Sequence, residues 1–244
     1  MKCPTQKTPF PTKPTTPTPF PPAQYAQPNG LLTTGGELTP ERVFLAHSQG
    51  IFPWYEQDEH PLWWSPPTRA LFACKQMHCS RSLKKRIRTL NFTISCDHDF
   101  SAVIDACQHS HGDSWITPLM RQTYQHLHHQ GRAHSYELWV NHQLVGGLYG
   151  VALNRVFCAE SMYSHITDAS KILLIALAHH LTTLGYDYID CQYLTVHLAS
   201  MGAFEIPRHH YLHLLHGNPD RLTRTWHQNP LYTNQQLYQI IASA

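Results

Sequence analysis

The chain has 244 residues, 42% of them apolar, enough for one ordinary domain and a small second one. Asp, Glu, Lys and Arg make up only 14% and the formal charge is +2, so any case for a polyanionic partner must come from local clustering. The longest apolar run, Ile172 to Ala178, is far short of the roughly 20 residues of a membrane span. Seven Cys without a repeating spacing argue against a zinc ribbon and suit a reduced, cytoplasmic protein. The 20 His fill much of the missing charge and would turn cationic toward pH 6.

Residues 1–19 are almost wholly Pro, Thr, Lys and Gln. Such a segment buries too little surface to offset its ordering entropy, so a disordered tail leaning to polyproline II is expected. It also lacks the apolar stretch of a secretory signal. A small domain is expected over 20–67. Within it, Thr39 as N-cap, Pro40 at the first helical position and Gly50 past the last turn delimit a helix. The aromatic, proline-punctuated stretch from Phe52 to Pro67 reads as irregular structure that ends at a boundary.

A second domain is expected over 68–244. Its elements are a strand Phe92–Cys96, a helix Asp99–Gln108 and a helix with Thr117, Pro118 and Gly131 in the cap roles just described. Strands His134–Val140, Gln143–Leu153 and Arg155–Glu160 follow, turning at Asn141-His142 and Asn154. A helix of about 16 residues, from an Asp168 cap to Gly185, precedes a strand Tyr186–Gln192. A short helix at His197–Met201 and a strand-like Phe204–Arg208 complete the core.

That succession is the order of an acetyltransferase-like (GNAT) fold. The expected class is therefore α/β (α+β), a GNAT-like C-terminal domain with a small α+β N-terminal domain. Fold alone does not set chemistry. Coenzyme A needs glycines where backbone N–H groups approach its pyrophosphate. The corresponding connection, Glu160 to Ala169, has no glycine and carries two acidic residues, so another acyl donor is expected.

Arg81, Lys84, Lys85, Arg86 and Arg88 crowd five of the 18 basic residues into eight positions, with no acid among them. Leu83, Ile87 and Leu90 recur at helical spacing, which buries one face and leaves Arg81, Lys84, Lys85 and Arg88 on the other. Such a face is either plain solvated helix or a contact for phosphates. Trp54, Trp63 and Trp64 are either core or stacking surfaces for an unpaired base.

Several words then occur in order. They include Asn29-Gly30-Leu31-Leu32, Gly35-Gly36-Glu37-Leu38, Gly50-Ile51-Phe52-Pro53-Trp54, Trp63-Trp64-Ser65-Pro66 and Ser114-Trp115-Ile116-Thr117. Val145 to Gly150, Phe157 to Met162, Ile189-Asp190-Cys191-Gln192 and Gly202 to Arg208 continue the series. Over about residues 20 to 215 the chain resembles the bacterial leucyl/phenylalanyl-tRNA–protein transferase family. The resemblance implies transfer of Leu or Phe, less well Met, from tRNA to the α-amine of proteins beginning with Arg or Lys, which marks them for degradation (the N-end rule).

An aminoacyl ester is already activated, so no metal and no cofactor is expected; aminoacyl-tRNA is a co-substrate. By resemblance, Asp190 and Gln192, two apart on one strand and so on one face, orient the amine and accept its proton. Glu160, ending the preceding strand, matches the family's residue at the amine site. Trp54, Trp115 and Tyr124 match contacts to the 3′ adenosine and aminoacyl group. Leu148, Phe157, Leu174 and Leu177 match the apolar pocket, although all four also suit a plain core. Glu37 stands where the family more often has Asp, and His197 matches a position at a helix start. A monomer is expected. Two readings compete: a Fem-like transferase using another amine, and a catalytically silent RNA-binding module built on the Arg81–Arg88 helix.

Overall fold

The computed structural model describes residues 18–56, 59–110, 115–216, 226 and 232–243. Most of the expected disordered tail, residues 1–17, and Ser114 lie outside them.

Strand β1 (Leu31–Thr34) leads to helix α1 (Pro40–Ser48). The Thr39 hydroxyl accepts from the Arg42 N–H, and Gly50 takes a φ of 74° just past the end, as the cap pattern predicts. Strands β2 (Phe52–Pro53) and β3 (Leu62–Trp64) lie in the stretch expected to be irregular. They form a three-stranded sheet in the order β1-β3-β2. Pro53 is tolerated because β2 is an edge, where its missing N–H breaks no ladder. Trp63 is core: its ring meets Phe20 edge-on at 4.7 Å and its indole N–H donates to the Gly35 carbonyl.

Next come β4 (Thr68–Ala73), α2 (Arg81–Thr89), β5 (Thr93–Cys96), α3 (Phe100–Ser110), α4 (Pro118–His129), β6 (Ala133–Val140), β7 (Gln143–Leu153) and β8 (Val156–Ser164). The chain continues through α5 (Ala169–Leu184), β9 (Tyr188–Gln192), α6 (Val196–Ser200), β10 (Phe204–Pro207), α7 (Arg208–Leu215), β11 (Tyr232–Thr233) and α8 (Asn234–Ser243). The large sheet has the order β10-β4-β9-β8-β7-β6-β5-β11. Only β8 and β9 pair in parallel, joined by the α5 crossover; the other pairs are antiparallel.

Two cores flank this sheet. Leu148, Phe157 and Ile94 pack with α5, α2 and α8, whereas Tyr149 and Val151 pack with α1, α3, α4 and the small sheet. Covering on both faces explains why β7 is apolar along most of its length.

Two elements are unmarked in the sequence and two local expectations are corrected. β4, buried on both faces, has no alternation, and α7 buries only Tyr211 and Leu215. β8 runs to Ser164, not Glu160, so the glycine-free connection shrinks to four residues, 165–168. Asp168 occupies the N-cap position with φ 68° but makes no cap bond. Its carboxylate holds Lys171, and the Ser164 hydroxyl receives the Ser170 N–H instead. At α6, where His197 sits in the first turn, the N-cap is Thr195, whose hydroxyl accepts from Leu198 N–H.

Candidate active site

Two interruptions of regular pairing build the site. β8 and β9 pair only from Val156↔Tyr188 to Cys158↔Asp190, and no pairing joins them beyond that point. On the other side of β8, Tyr149 faces Ser161 and Gly150 faces Ala159, which leaves Glu160 as the extra residue of a bulge. Likewise Leu71 faces Asp190 and Ala70 faces Gln192, so Cys191 is extra in β9. Bulges re-aim side chains. Glu160 is therefore interior to its strand, not at its end, and Asp190 and Gln192 are not related by simple alternation.

Gln192 adopts a left-handed φ of 57°. Its backbone N–H donates to Asp190 Oδ1 at 2.9 Å, and its side-chain Nε2 donates to the Ala159 carbonyl at 3.0 Å. The side chain thus bridges β8 and β9 where their ladder has stopped.

Asp190 is fully buried. Arg69 of β4 donates Nε to Oδ1 at 2.8 Å and Nη2 to Oδ2 at 2.7 Å, and Tyr211 of α7 donates its hydroxyl to Oδ2 at 2.7 Å. The guanidinium lies between the Phe52 and Tyr211 rings, 4.7 and 4.6 Å from their centroids. Burial pushes against both charges, but their mutual attraction and hydrogen bonds outweigh it. Asp190 is held below the usual carboxylate range and Arg69 above its own. A carboxylate so engaged accepts a proton less readily than a free one, which favours a positioning role over proton acceptance for Asp190.

Gly50 supports this pair, its carbonyl standing 3.4 Å from Arg69 Nη1. Its φ is 74° and an added Cβ would fall 2.5 Å from the end of Leu212. Gly50→Ala is expected to cost about 1–2 kcal/mol, read as a lower urea midpoint at unchanged slope.

Glu160 presents the opposite case. Tyr124 of α4 donates its hydroxyl to Oε2 at 2.6 Å. His47, in the last turn of α1, places Nε2 3.4 Å from that hydroxyl and 3.5 Å from Oε1. The carboxyl side chain is only 4% exposed. Burial lifts Glu160 to about 8, with the Tyr124 hydrogen bond opposing and the Asp190 charge adding. Burial, then the Arg69 charge, takes His47 down to about 3. His47 is therefore neutral near pH 7, and its contact with Glu160 is polar rather than an ion pair.

Glu160 and Gln192 line a cleft of about 120 Å³ together with Phe52, Pro53, Trp54, Trp115 and Tyr193. Trp54 is 46% exposed, with the rings of Tyr193 and Trp64 at 6.0 and 6.1 Å, which makes an open aromatic surface at the mouth. Tyr124 has no exposed face; it serves Glu160 from behind rather than offering a stacking surface. Leu148, Phe157, Leu174 and Leu177 are all fully buried between the sheet and α5, and the structure does not bring them to the cleft.

None of the basic residues of α2 lines the cleft. Arg81, Lys85 and Arg88 are exposed, and none of the five makes an ion pair among the described residues. Lys84 donates to the Ile241 carbonyl of α8, and Arg88 lies 5.8 Å from the Tyr238 ring.

His47, Arg69, Tyr193 and Tyr211 escaped the sequence reading. A signal existed for Arg69, a lone cation running into the apolar Ala70-Leu71-Phe72, since such a charge needs a buried anion. The others are single members of abundant types, with no local mark. Among the described residues no three His, Cys, Asp or Glu are arranged to hold a metal ion, and no helix is long and apolar enough to cross a membrane.

The family profile described as Leucyl/phenylalanyl-tRNA protein transferase matches residues 71–216, and that of its N-terminal domain matches residues 36–67. A protein named Leucyl/phenylalanyl-tRNA–protein transferase from Nitrosomonas eutropha is 46% identical over 90% of this chain and 97% of its own length. One of the same name from Azotobacter vinelandii is 50% identical over 78% of this chain and 86% of its own. The solved structure described as L-PGS from Bacillus licheniformis covers 65% of this chain and 54% of its own, with a TM-score of 0.40 at 13% identity.

Proposed function

Because the chain belongs to the leucyl/phenylalanyl-tRNA–protein transferase family and is an aminoacyltransferase, we propose that it moves Leu or Phe, and Met less well, from tRNA to the α-amine of proteins beginning with Arg or Lys. The product carries a degradation signal. We further read the large sheet and its helices as GNAT-like, and the protein as a cytoplasmic monomer that uses no metal or cofactor.

One observation carries the reading: a buried carboxyl, Glu160, lining a cleft with an open aromatic mouth. The α-ammonium of the acceptor enters between Glu160 and Gln192. Since Gln192 Nε2 is committed to Ala159, its amide oxygen is the atom left to accept from the amine. The α-ammonium has a pKa of roughly 7.7–8, close to the value of about 8 at Glu160, so proton transfer between them is nearly balanced. Once neutral, the nitrogen attacks the ester carbonyl carbon. The bond to the ribose oxygen then breaks, and a second N–H proton leaves with that oxygen. Positioning and proton removal supply most of what such a reaction needs.

The terminal adenosine is assigned to Trp54 and Trp115. The donor side chain is assigned to the apolar layer at Leu148, Phe157, Leu174 and Leu177, which must part to admit it. Arg81, Lys84, Lys85, Arg86 and Arg88 are assigned to tRNA phosphates, chiefly Arg81 and Lys85, which are exposed. Base stacking is worth about 1–3 kcal/mol. Trp54→Ala is accordingly expected to raise KM for Leu-tRNA by roughly tenfold and leave KM for the peptide unchanged.

The deciding assay supplies labelled Leu-tRNA or Phe-tRNA and peptides beginning with Arg, Lys or Ala. Label is expected only on the Arg and Lys peptides. Binding of tRNA without transfer to any peptide would favour a silent RNA-binding module instead.

A further inference from the structure

His47 belongs to no part of the reaction just described, yet its ring is sealed against the group that receives the amine. Its Nε2 is almost equidistant from the Tyr124 hydroxyl at 3.4 Å and Glu160 Oε1 at 3.5 Å. The Tyr124 hydroxyl closes the triangle on Oε2 at 2.6 Å. Among the described residues, neither His47 Nδ1 nor Glu160 Oε1, both buried, has a hydrogen-bond partner.

The arrangement around Nε2 favours one tautomer. Nε2 faces two oxygens and Nδ1 faces none among the described residues, so we take Nε2 as the nitrogen that carries the hydrogen. The hydrogen of Tyr124 is already given to Oε2, so its oxygen can only receive. The Nε2–H therefore faces two acceptors, the Tyr124 oxygen and Glu160 Oε1. Both contacts are longer than a fully formed hydrogen bond, as catalytic contacts often are before substrate is bound.

We propose that His47 is a positioning residue for the amine-accepting carboxyl: as a neutral N–H donor it works with Tyr124 to hold Glu160 in the ionised form that can take a proton from the acceptor. This rests on the transfer reaction read above. Around Glu160 stand Tyr124 from α4, Tyr149 from β7, Cys158 on its own strand, Asp190 from β9 and Arg69 from β4. Arg69 is spent on Asp190, and Tyr149 and Cys158 make no hydrogen bond to the carboxyl. Among the described residues, Tyr124 and His47 are thus the donors within reach of the two oxygens.

The test uses the full chain labelled with ¹³C at Glu carboxyls, Glu160→Gln serving to assign the resonance. Titration of Glu160 is followed alongside kcat/KM for an Arg-initiated peptide between pH 6 and 9.5. In His47→Leu the Glu160 midpoint is expected to rise by about one pH unit, and kcat/KM to fall about tenfold at pH 7, with the loss shrinking above the new midpoint. KM for Leu-tRNA is expected to stay unchanged. His47→Gln keeps an amide donor and is expected to restore most of both quantities, which also answers a His47→Leu variant that folds poorly. An unmoved midpoint, with activity lost equally at every pH, would reduce His47 to packing and overturn the proposal. A moved midpoint without transfer by the parent chain to any peptide would uphold the hydrogen bond and overturn the transfer reading.

Discussion

Replacing Arg69 with alanine is expected to destabilise the folded chain by about 3–5 kcal/mol, because it strands the Asp190 carboxylate in the core. Asp190→Ala should cost a similar amount, since it leaves the guanidinium between Phe52 and Tyr211 without its anion. The double variant Arg69→Met/Asp190→Leu should recover most of that loss, as apolar replacements of a buried pair often do. Its transfer activity should nevertheless stay low, because the Gln192 N–H loses its acceptor and the left-handed turn that aims Gln192 loses its anchor. Urea unfolding and label transfer on the same three variants separate the two roles. Activity returning with stability would mean that the pair only holds the fold. Acid should act the same way: Asp190 lies below its ordinary value in the folded state, so its contribution is present above the unfolded pKa and is lost as pH falls through the folded one.

Glu160→Gln is the second large effect. The amide keeps the size of the side chain and a donor–acceptor pair for Tyr124, but it cannot take a proton. Transfer to an Arg-initiated peptide should fall by about 10²–10³ in kcat/KM, within the range for a lost general base. Stability should move the other way. Folding raises Glu160 from 4.5 to about 8, so the folded chain holds this proton more tightly than the unfolded one. That contribution is complete below the unfolded value and is lost as pH climbs through the folded one. The parent chain should accordingly lose stability between pH 5 and 9 by more than Glu160→Gln does, which a series of melting curves would read. Equal losses would place Glu160 in a wetter, less perturbed setting than its 4% exposure indicates.

Sequence alone reaches the parts of this molecule that are encoded over a few neighbouring residues. Thr39-Pro40 with Gly50, and Thr117-Pro118 with Gly131, delimit α1 and α4 because cap bonds and the left-handed turn are local events. The meander β6–β7–β8 follows from turn residues that tolerate positive φ at Asn141, His142 and Asn154. The site is different in kind. Glu160, Asp190 and Gln192 stand out only through ordered words shared with a family, and nothing in their spacing discloses the bulges at Glu160 and Cys191. A bulge is a property of two strands in register, and one of the partners, β4, was not read as a strand. Arg69 enters with β4, and Tyr211 with α7, so the buried ion pair could not be assembled from the sequence. The role of Asp190 comes from the resemblance alone, and the partners that occupy its carboxylate, Arg69 and Tyr211, enter with elements that the sequence does not mark.

The most direct measurement is single-turnover transfer from labelled Leu-tRNA to an Arg-initiated peptide as a function of pH, in the parent chain and in Glu160→Gln. If an ionised Glu160 takes a proton from a bound ammonium, the parent profile is bell-shaped and centred near 8, where the pKa of about 8 at Glu160 meets the roughly 7.7–8 of the amine. Glu160→Gln, able to use only peptide that is already neutral, should instead rise with pH to a plateau at a much lower rate. The same bell in both proteins would contradict the assignment of Glu160 as the group that receives the proton.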